Sequence, residues 1–445
     1  MSDARPTPVD PAAPAAAGGS VLRNADFVRL WTAMTISQFG TQISLLALPL
    51  IAVVLLDATA FQVALLGTID FLPFILFSLP AGAWVDRLRR RPILIAGDAL
   101  RAVALLSIPI AYVLDVLTIW QLYVVGFTVG TLTVFFDVAF QSYLPSLVER
   151  DQLVDGNGKL EISRTVAQTA GPALGGGLVG ILTAPIAVVV DAISYGLSAL
   201  FVLLIRRPEP APDPHHDEHG RRRGSLASEV RDGLRYVLGN RYLRGIAACT
   251  GTANLFGNLA TATLILYAVD TLGLGPAQIG LVFGLGNLGA LVGALSADRV
   301  RRRLGLGHAI VASAALGGPA VLLIAIAPVE AAVPFLVASG LLGGFSIVVY
   351  NINQVSFRQA ITPDPMQGRM NATMRFIVWG TIPVGQITGG AIATVAGIPA
   401  ALWIGAVGSF LAVIPLLITP VHTLRDMPTP AGSETAAGAE GAPTS

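Results

Sequence analysis

Twelve apolar stretches divide this chain, and the basic residues between them fall on alternate connections only. The odd-numbered connections contain Asp57, Asp115, Asp270 and Glu330 but no lysine or arginine. The even-numbered ones include two near-identical strings, Asp86-Arg-Leu-Arg-Arg-Arg91 and Asp298-Arg-Val-Arg-Arg-Arg303. An apolar run of about 20 residues is long enough to cross a bilayer, and basic connections stay on the cytoplasmic side. The pattern therefore predicts an all-α membrane protein. Its twelve transmembrane helices are expected near 29–55, 61–85, 92–114, 118–146, 159–182, 185–205, 243–269, 276–297, 308–328, 332–360, 373–396 and 399–419. An even number of crossings puts both termini in the cytoplasm.

Composition supports this placement. Charged residues make up 12% of the chain, about half of what a soluble domain carries, so the lipid bilayer is the expected partner of most of the surface. Residues 1–26 and 423–445 read as disordered cytoplasmic tails, rich in Ala, Pro and Gly. Between the halves, 206–242 reads as a cytoplasmic linker. It opens Pro-rich and ends in an amphipathic helix, with Ser225 as its cap and Leu226, Val230, Leu234 and Leu238 as its apolar stripe. Cys249 is the only cysteine, which excludes an intrachain disulfide.

The two halves repeat in register. Asp86, Arg87, Arg89, Arg90 and Arg91 match Asp298, Arg299, Arg301, Arg302 and Arg303 at one constant offset. Ser142, Asn157, Gly171, Gly175 and Gly176 match Ser356, Asn371, Gly385, Gly389 and Gly390 at another. With six spans in each copy, 27–205 and 243–422 are expected to form six-helix bundles of the same orientation. In such an arrangement the halves flank a central site.

Several chemistries are excluded. The only lysine, Lys159, sits in Gly156-Asn-Gly-Lys-Leu160 with no hydroxyl residue after it, so the chain has no phosphate-binding loop for ATP. It also has no Gly-x-Ser-x-Gly elbow and no span carrying a zinc-spaced His/Glu pair. His215, His216 and His219 lie in the Pro-rich linker and read as solvated. Basic runs this short, set between apolar helices, do not suit a nucleic acid. The expectation is a protein that is not an enzyme and needs no cofactor or metal.

The string Gly82-Ala-Trp-Val-Asp-Arg-Leu-Arg-Arg-Arg91 and its echo at 294–303 carry a resemblance. Further support comes from Gly171-Pro-Ala-Leu-Gly-Gly176, Phe135-Phe-Asp-Val-Ala-Phe-Gln-Ser-Tyr-Leu-Pro145 and Tyr350-Asn-Ile-Asn-Gln354. Over about residues 27–420 the chain resembles the major facilitator superfamily, and within it actinobacterial drug-efflux-type exporters. The resemblance implies that the first string latches one state of an alternating-access cycle, with Gly82, Asp86, Arg87 and Arg90 in that role. It also implies that Gly171, Pro172, Gly175 and Gly176 shape the contact between halves. Three positions depart from the family pattern. Arg89 stands where a glycine is usual, Ala294 replaces the glycine of the second copy, and span four lacks the arginine of many proton-coupled exporters.

Charge inside the spans points to the coupling site. The first half holds Asp70, Asp98, Arg101, Asp137 and Asp191, whereas the second half is read as holding no ionisable side chain away from its helix ends. A charge at the bilayer centre costs about 2.5–3.5 kcal/mol on insertion scales, so each needs a partner or a task. Asp70 lies nine residues past Phe61, about 13 Å into the core. It reads as a proton carrier or a counter-charge for a cation, with a hydrogen-bonded structural acid as the alternative. Asp98 and Arg101 are one helical turn apart and can pair; Arg101 could also exchange between Asp98 and Asp137. Asp137 lies about 28 Å along span four, level with Asp86 and Arg90, which predicts a cytoplasmic gate of these residues with Asp298 and Arg299. Asp191 reads as a structural hydrogen-bonding group.

The resemblance implies that spans one, four, seven and ten line the central cavity. Its polar candidates are then Gln38, Gln42, Asn254, Asn258, Tyr267, Tyr350, Asn351, Asn353 and Gln354, with Phe39, Phe135, Phe136 and Phe256 as apolar walls. Amides in a membrane also glue helices together, and that reading stays open for each. Gly280, Gly284, Gly289 and Gly293 read as helix-packing positions. The function expected is export of a small amphipathic compound by a monomer, driven by protons. Nutrient import or uniport on the same fold, and a scaffold or sensor that no longer transports, remain open.

Overall fold

The computed structural model describes residues 21–85, 88–149, 152–209 and 226–425, and every regular element in them is helical. The first six long helices are α1 (Ala25–Leu50), α2 (Ala60–Val85), α3 (Arg90–Val113), α4 (Ile119–Leu147), α5 (Leu153–Leu182) and α6 (Ala184–Leu203). They are followed by α7 (Leu226–Gly239), α8 (Arg241–Thr261), the single turn α9 (Leu264–Leu266), α10 (Pro276–Leu304) and α11 (Leu306–Ala315). The chain ends in α12 (Gly317–Ala325), α13 (Ala332–Ile361), α14 (Asp364–Ala396), α15 (Ile398–Leu411) and α16 (Ile414–Leu417).

Among the described residues, eleven helical segments are long and apolar enough to cross a membrane. The span expected at 159–182 is present as α5 but is not among the eleven. Its interior is diluted by Gly171, Gly175, Gly176, Gly177 and Gly180, and its first turns carry Asp155, Lys159, Glu161 and Arg164. Here the side chains favour close packing against other helices over contact with lipid.

Helix contacts fall into two groups. α1 packs on α5 and α6, α3 on α4 and α6, and α2 on α4. In the second group α8 packs on α14 and α15, α10 on α13, and α12 on α13 and α15. Two further contacts join the groups, α5 with α10 and α2 with α14. Both are glycine seams. A Cβ on Gly176 would come within 2.5 Å of the Pro276 carbonyl oxygen and 2.8 Å of Gly280 Cα. A Cβ on Gly280 would come within 2.4 Å of the Pro172 carbonyl oxygen, and one on Gly390 within 2.4 Å of Ala64 Cβ. With only hydrogens between the backbones, the helices approach closely enough for dispersion to hold them where no hydrophobic force acts.

The same devices recur in both groups. Asn24 caps α1 by accepting from the Asp26 and Phe27 amides at 3.0 and 3.2 Å. Asn240 caps α8 through Tyr242 and Leu243 at 2.9 and 3.2 Å. α1 ends in a π-helical turn at Ile51–Leu55, and α9 runs into another at Tyr267–Thr271. Each of these turns closes through a positive-φ residue, Asp57 or Gly273. Gly171 and Gly175 of α5 lie on Gln42 and Ile43 of α1, and Gly385 and Gly389 of α14 lie on Leu255 and Leu259 of α8.

Two boundaries and one helix register differ from those expected. Residues 21–26 belong to the fold, because Val21 is buried and the Asn24 side chain also donates to the Leu147 carbonyl at 2.7 Å. At the other end, the Leu424 and Arg425 carbonyls accept from the Gly307 and Leu306 amides at 2.8 and 3.1 Å, capping α11. The rest of both tails, like Ser225 and the three linker histidines, lies outside the described residues. The linker helix α7 is present, but its register is shifted from the expected stripe. Gly233 sits against Thr373 and Arg369 of α14 and Val237 is buried, while Leu238 is exposed.

The seam predicts an asymmetric response to bulk. Gly280→Leu is expected to destabilise the purified protein by about 1–3 kcal/mol through overpacking. Gly177→Leu, at a position where a Cβ meets nothing within 4 Å, should stay within about 0.5 kcal/mol. Thermal unfolding in detergent checks both. Equal effects would remove the seam as a point of close contact.

Candidate functional site

The structure places the five ionisable residues of the first group very differently. Asp98 pairs with Arg101 inside α3, and both are buried. The second Asp98 oxygen accepts from Ser198 Oγ of α6 at 2.5 Å. Arg101 also donates to Thr133 Oγ1 of α4 at 3.3 Å. Its guanidinium lies 4.3 Å from the ring centroids of both Phe136 and Tyr195, and each such desolvated contact contributes about 2 kcal/mol. The Tyr195 hydroxyl hydrogen-bonds Thr41 Oγ1 of α1 at 2.8 Å. One turn away, Asp191 accepts from Ser44 of α1 and, at 3.1 Å, from Ser194. Four helices are thereby cross-linked by one buried polar network. Its anchors Tyr195, Ser44, Ser194 and Ser198 were not singled out from the sequence, because lone hydroxyls in apolar helices carry no spacing signal.

Asp70 has no such network. It stands on α2 where that helix crosses α4, and its Oδ1 is buried without a hydrogen-bond partner. α4 approaches through Gly126 and Gly130. A Cβ on Gly126 would meet Asp70 Oδ1, and one on Gly130 would come within 2.6 Å of the Asp70 carbonyl oxygen and 3.1 Å of Pro73. Gly126-x-x-x-Gly130 is a helix-packing motif that the sequence displays and the span reading passed over.

The expected gate is only partly described. Asp86 and Arg87 lie outside the described residues, and Gly82 falls in the last turn of α2. Arg90 meets Glu209, a residue at the start of the linker that was not anticipated. Glu209 accepts from the Arg90 and Arg91 amides at 2.7 and 3.1 Å, which caps α3, and lies 3.9 Å from the Arg90 guanidinium. Asp137 is half-buried and feels Arg101 and Arg164. Asp298 pairs with Arg301 at 2.6 Å and Arg302 at 2.8 Å on its own helix, and Arg299 is exposed. The second string is therefore a continuous stretch of α10 and not a loop. Gly305, at a φ of 79°, ends that helix.

The α5 motif divides its contacts. Gly171 and Gly175 face α1, while Gly176 and the Pro172 carbonyl face α10.

Several cavity candidates contact a neighbouring helix or bond along their own. Asn254 donates to the Val378 carbonyl of α14 at 3.0 Å, and Asn258 to the Asn254 carbonyl at 2.9 Å. Tyr350 is buried and shares a 2.7 Å hydrogen bond with Thr250. Asn353 is buried and donates to the Val349 carbonyl at 2.8 Å. Tyr267 is buried in its π-helical turn. Phe136 lies under Arg101, and the Phe256 ring packs on Gly408 of α15. Phe135 stacks on Trp84 at 5.9 Å. The two face a lateral apolar cavity of about 220 Å³ together with Leu100 and Leu132. Gln42 is packed on Gly171, and Gln38 and Phe39 stay half-buried on α1. Asn351 is exposed and accepts from Gln354 at 3.2 Å, and Gln354 keeps a buried, unpartnered Oε1.

The second group holds one cation well inside a helix. Arg358 lies in the last turn of α13, at a helix end as expected, with its Nε buried and unpartnered among the described residues. α14 starts at Asp364, so Arg375 lies three turns inside it. The Arg375 guanidinium stands 5.0 Å over the Trp379 ring, and Trp379 meets Phe71 of α2 edge-on at 6.0 Å.

A multi-pass helical bundle with internal charge and two glycine seams fits a membrane transporter, and its family makes it one of the major facilitator type, which is not an enzyme. Over residues 16–432 the chain matches the family described as transmembrane secretion effectors, and it belongs to that family. It is similar to the multidrug efflux pump Tap of Mycobacterium tuberculosis, with 27% identity over 398 residues covering 87% of this chain and 90% of the relative. The enterobactin exporter EntS of Salmonella typhimurium is 26% identical over 300 residues, covering 65% and 67%. In fold, the chain is similar to the inward-facing crystal structure of a bacterial homologue of the iron transporter ferroportin. The TM-score is 0.67 at 17% identity, over 89% of this chain and 98% of that one.

The Arg101 network predicts a large cost for halving its ion pair. Asp98→Asn, which strands a buried cation, is expected to destabilise the protein by about 3–5 kcal/mol. Combining it with Arg101→Gln should recover more than half of that loss. Thermal unfolding of the single and double variants reads this. A single variant costing under about 1 kcal/mol would show that the pair anchors nothing.

Proposed function

We propose that this protein exports a small amphipathic compound across the cell membrane by alternating access, exchanging it for protons. Two six-helix bundles, α1–α6 and the helices from α8 onward, rock about the α5–α10 and α2–α14 seams. The family match and the efflux names of the relatives support export. The repeated caps, π-helical turns and glycine seams support two copies of one design.

The observation that carries the coupling is Asp70. It is a carboxyl with one buried, unpartnered oxygen on a helix that forms a seam between bundles. A buried carboxyl without a partner needs a task, and Asp70 belongs to α2, the helix whose other large contact joins the bundles. It takes up a proton in one state and releases it when water reaches α2 in the other. Asp98 and Arg101 move with it as the rigid interior of the first bundle. The contact residues Ala60, Ala64, Gly176, Pro276, Gly280 and Gly390 lie toward the helix ends that carry no lysine or arginine. This supports a state closed outside and open to the cytoplasm. Both termini lie in the cytoplasm in this reading, and one chain suffices.

Two experiments test these claims. In proteoliposomes with an imposed pH gradient, the protein should drive efflux of a cationic dye such as ethidium, and Asp70→Asn should cut that rate by about ten-fold or more, a loss of about 1.4 kcal/mol. A wild-type protein that moves no dye would leave the scaffold reading standing, and an unaffected variant would move the proton elsewhere. For orientation, cysteines replacing Leu88 and Leu304 are expected to react with an impermeant maleimide only after cells are opened, and those replacing Asp115 and Val329 in intact cells. Labelling of the first pair from outside would overturn the topology.

A further inference from the structure

We infer that Arg375, Trp379, Phe71 and Phe74 form a recognition site for an aromatic oxyanion: a flat aromatic compound bearing a carboxylate or a similar group. This rests on the transport reading above and names a substrate class for it. Phe71 and Phe74 of α2 stack at 5.6 Å with 22° between their planes. Phe71 meets Trp379 of α14 at 6.0 Å and 66°, and Arg375 Cζ lies 5.0 Å from the Trp379 centroid. The cluster thus bridges the α2–α14 seam, with two rings from one bundle and a ring and a cation from the other.

The cation is available. Arg375 has no hydrogen bond or ion pair to any described residue, and its side chain is exposed. An arginine facing lipid near a membrane surface extends its head toward the aqueous phase. Arg375 instead reaches over Trp379, one turn further from the cytoplasmic start of α14. A guanidinium held there in hydrocarbon would cost about 2.5–3.5 kcal/mol, which places it against the water-filled space between the bundles. Its planar donor fork suits bidentate binding of a carboxylate or comparable oxyanion. The edge of Trp379 and the stacked Phe71 and Phe74 offer apolar surface to a ring.

Equilibrium binding to the purified full chain in neutral detergent tests this, independently of transport. The probes are naphthoate and its uncharged isostere naphthamide, followed by isothermal titration. The wild type should bind naphthoate about ten-fold or more tightly than naphthamide. Arg375→Gln should abolish that preference mainly by weakening naphthoate, and Trp379→Ala should weaken both ligands. Three outcomes overturn the inference. The wild type shows no preference for the anion, Arg375→Gln keeps it, or phosphatidylglycerol displaces naphthoate, which would assign the cation to a lipid headgroup. Each can occur while proton-driven ethidium efflux persists, so the anion site can fail without the transport reading. If instead the preference holds and no gradient drives efflux, only the transport reading fails.

Discussion

Lack of water in the membrane core governs this structure. There, a charged or polar group must find its partner on another helix or face an aqueous space. The Arg101 cation meets that condition completely, with a carboxylate, a hydroxyl and two aromatic faces drawn from α3, α4 and α6. Such a network fixes those helices relative to each other, because sliding any of them would strand a buried charge. With Tyr195 bonded to Thr41 of α1, the network holds α1, α3, α4 and α6 as one body, as the proposed alternating access requires. Asp70 and Arg375 escape the condition. Asp70 stands on α2 against Gly126 and Gly130 of α4, inside the first group, and has no hydrogen-bond partner among the described residues. Arg375 stands at the α2–α14 seam, where the Trp379 ring is its one contact among the described residues.

Glycine sets how closely the two groups touch. At Gly176 and Gly280 the α5 and α10 backbones touch, and at Gly390 the α14 backbone meets α2. Smooth backbone contacts lack the interlocking side chains that hold a packed core in one register. Inside the groups, glycine contacts such as Gly389 on Leu259 and Gly130 on Asp70 are equally close, and caps and hydrogen bonds add further ties. The Asn24 amide on the Leu147 carbonyl and Glu209 on the start of α3 are examples.

Much of the architecture was legible because lipid imposes simple rules on sequence. Long apolar runs marked the helices, and Gly171-Pro-Ala-Leu-Gly-Gly176 marked a packing face. The misses have physical causes. Glycine and charge in α5 lower its hydropathy without shortening it. The stripe on α7 was read from leucine and valine, but the contact forms at Gly233, where α14 needs space rather than a side chain. Several polar residues on expected cavity helices, such as Asn254 and Tyr350, are spent on neighbouring helices. The sequence shows which residues are polar but not which of them the packing has already satisfied. Arg375 was passed over because a span boundary drawn by hydropathy put it at a helix end, whereas the helix itself begins eleven residues earlier.

The two groups share their backbone devices and differ in their chemistry. The Asn caps, π-helical turns and glycine seams occur in both. Internal carboxyls occur in the first; in the second Arg375 stands well inside α14 and Arg358 in the last turn of α13, and neither has a carboxylate partner among the described residues. Duplication alone would have copied both features. Even the repeated basic string has diverged, since the first copy separates α2 from α3 and the second continues α10 with Asp298 paired on its own helix. A transporter that couples two fluxes needs identical hinges, so that both halves can rock together, and unlike linings, so that one half answers to protons while the other answers to cargo. Under the proposed exchange of cargo for protons, the internal carboxyls of the first group and Arg375 of the second are divided along that line.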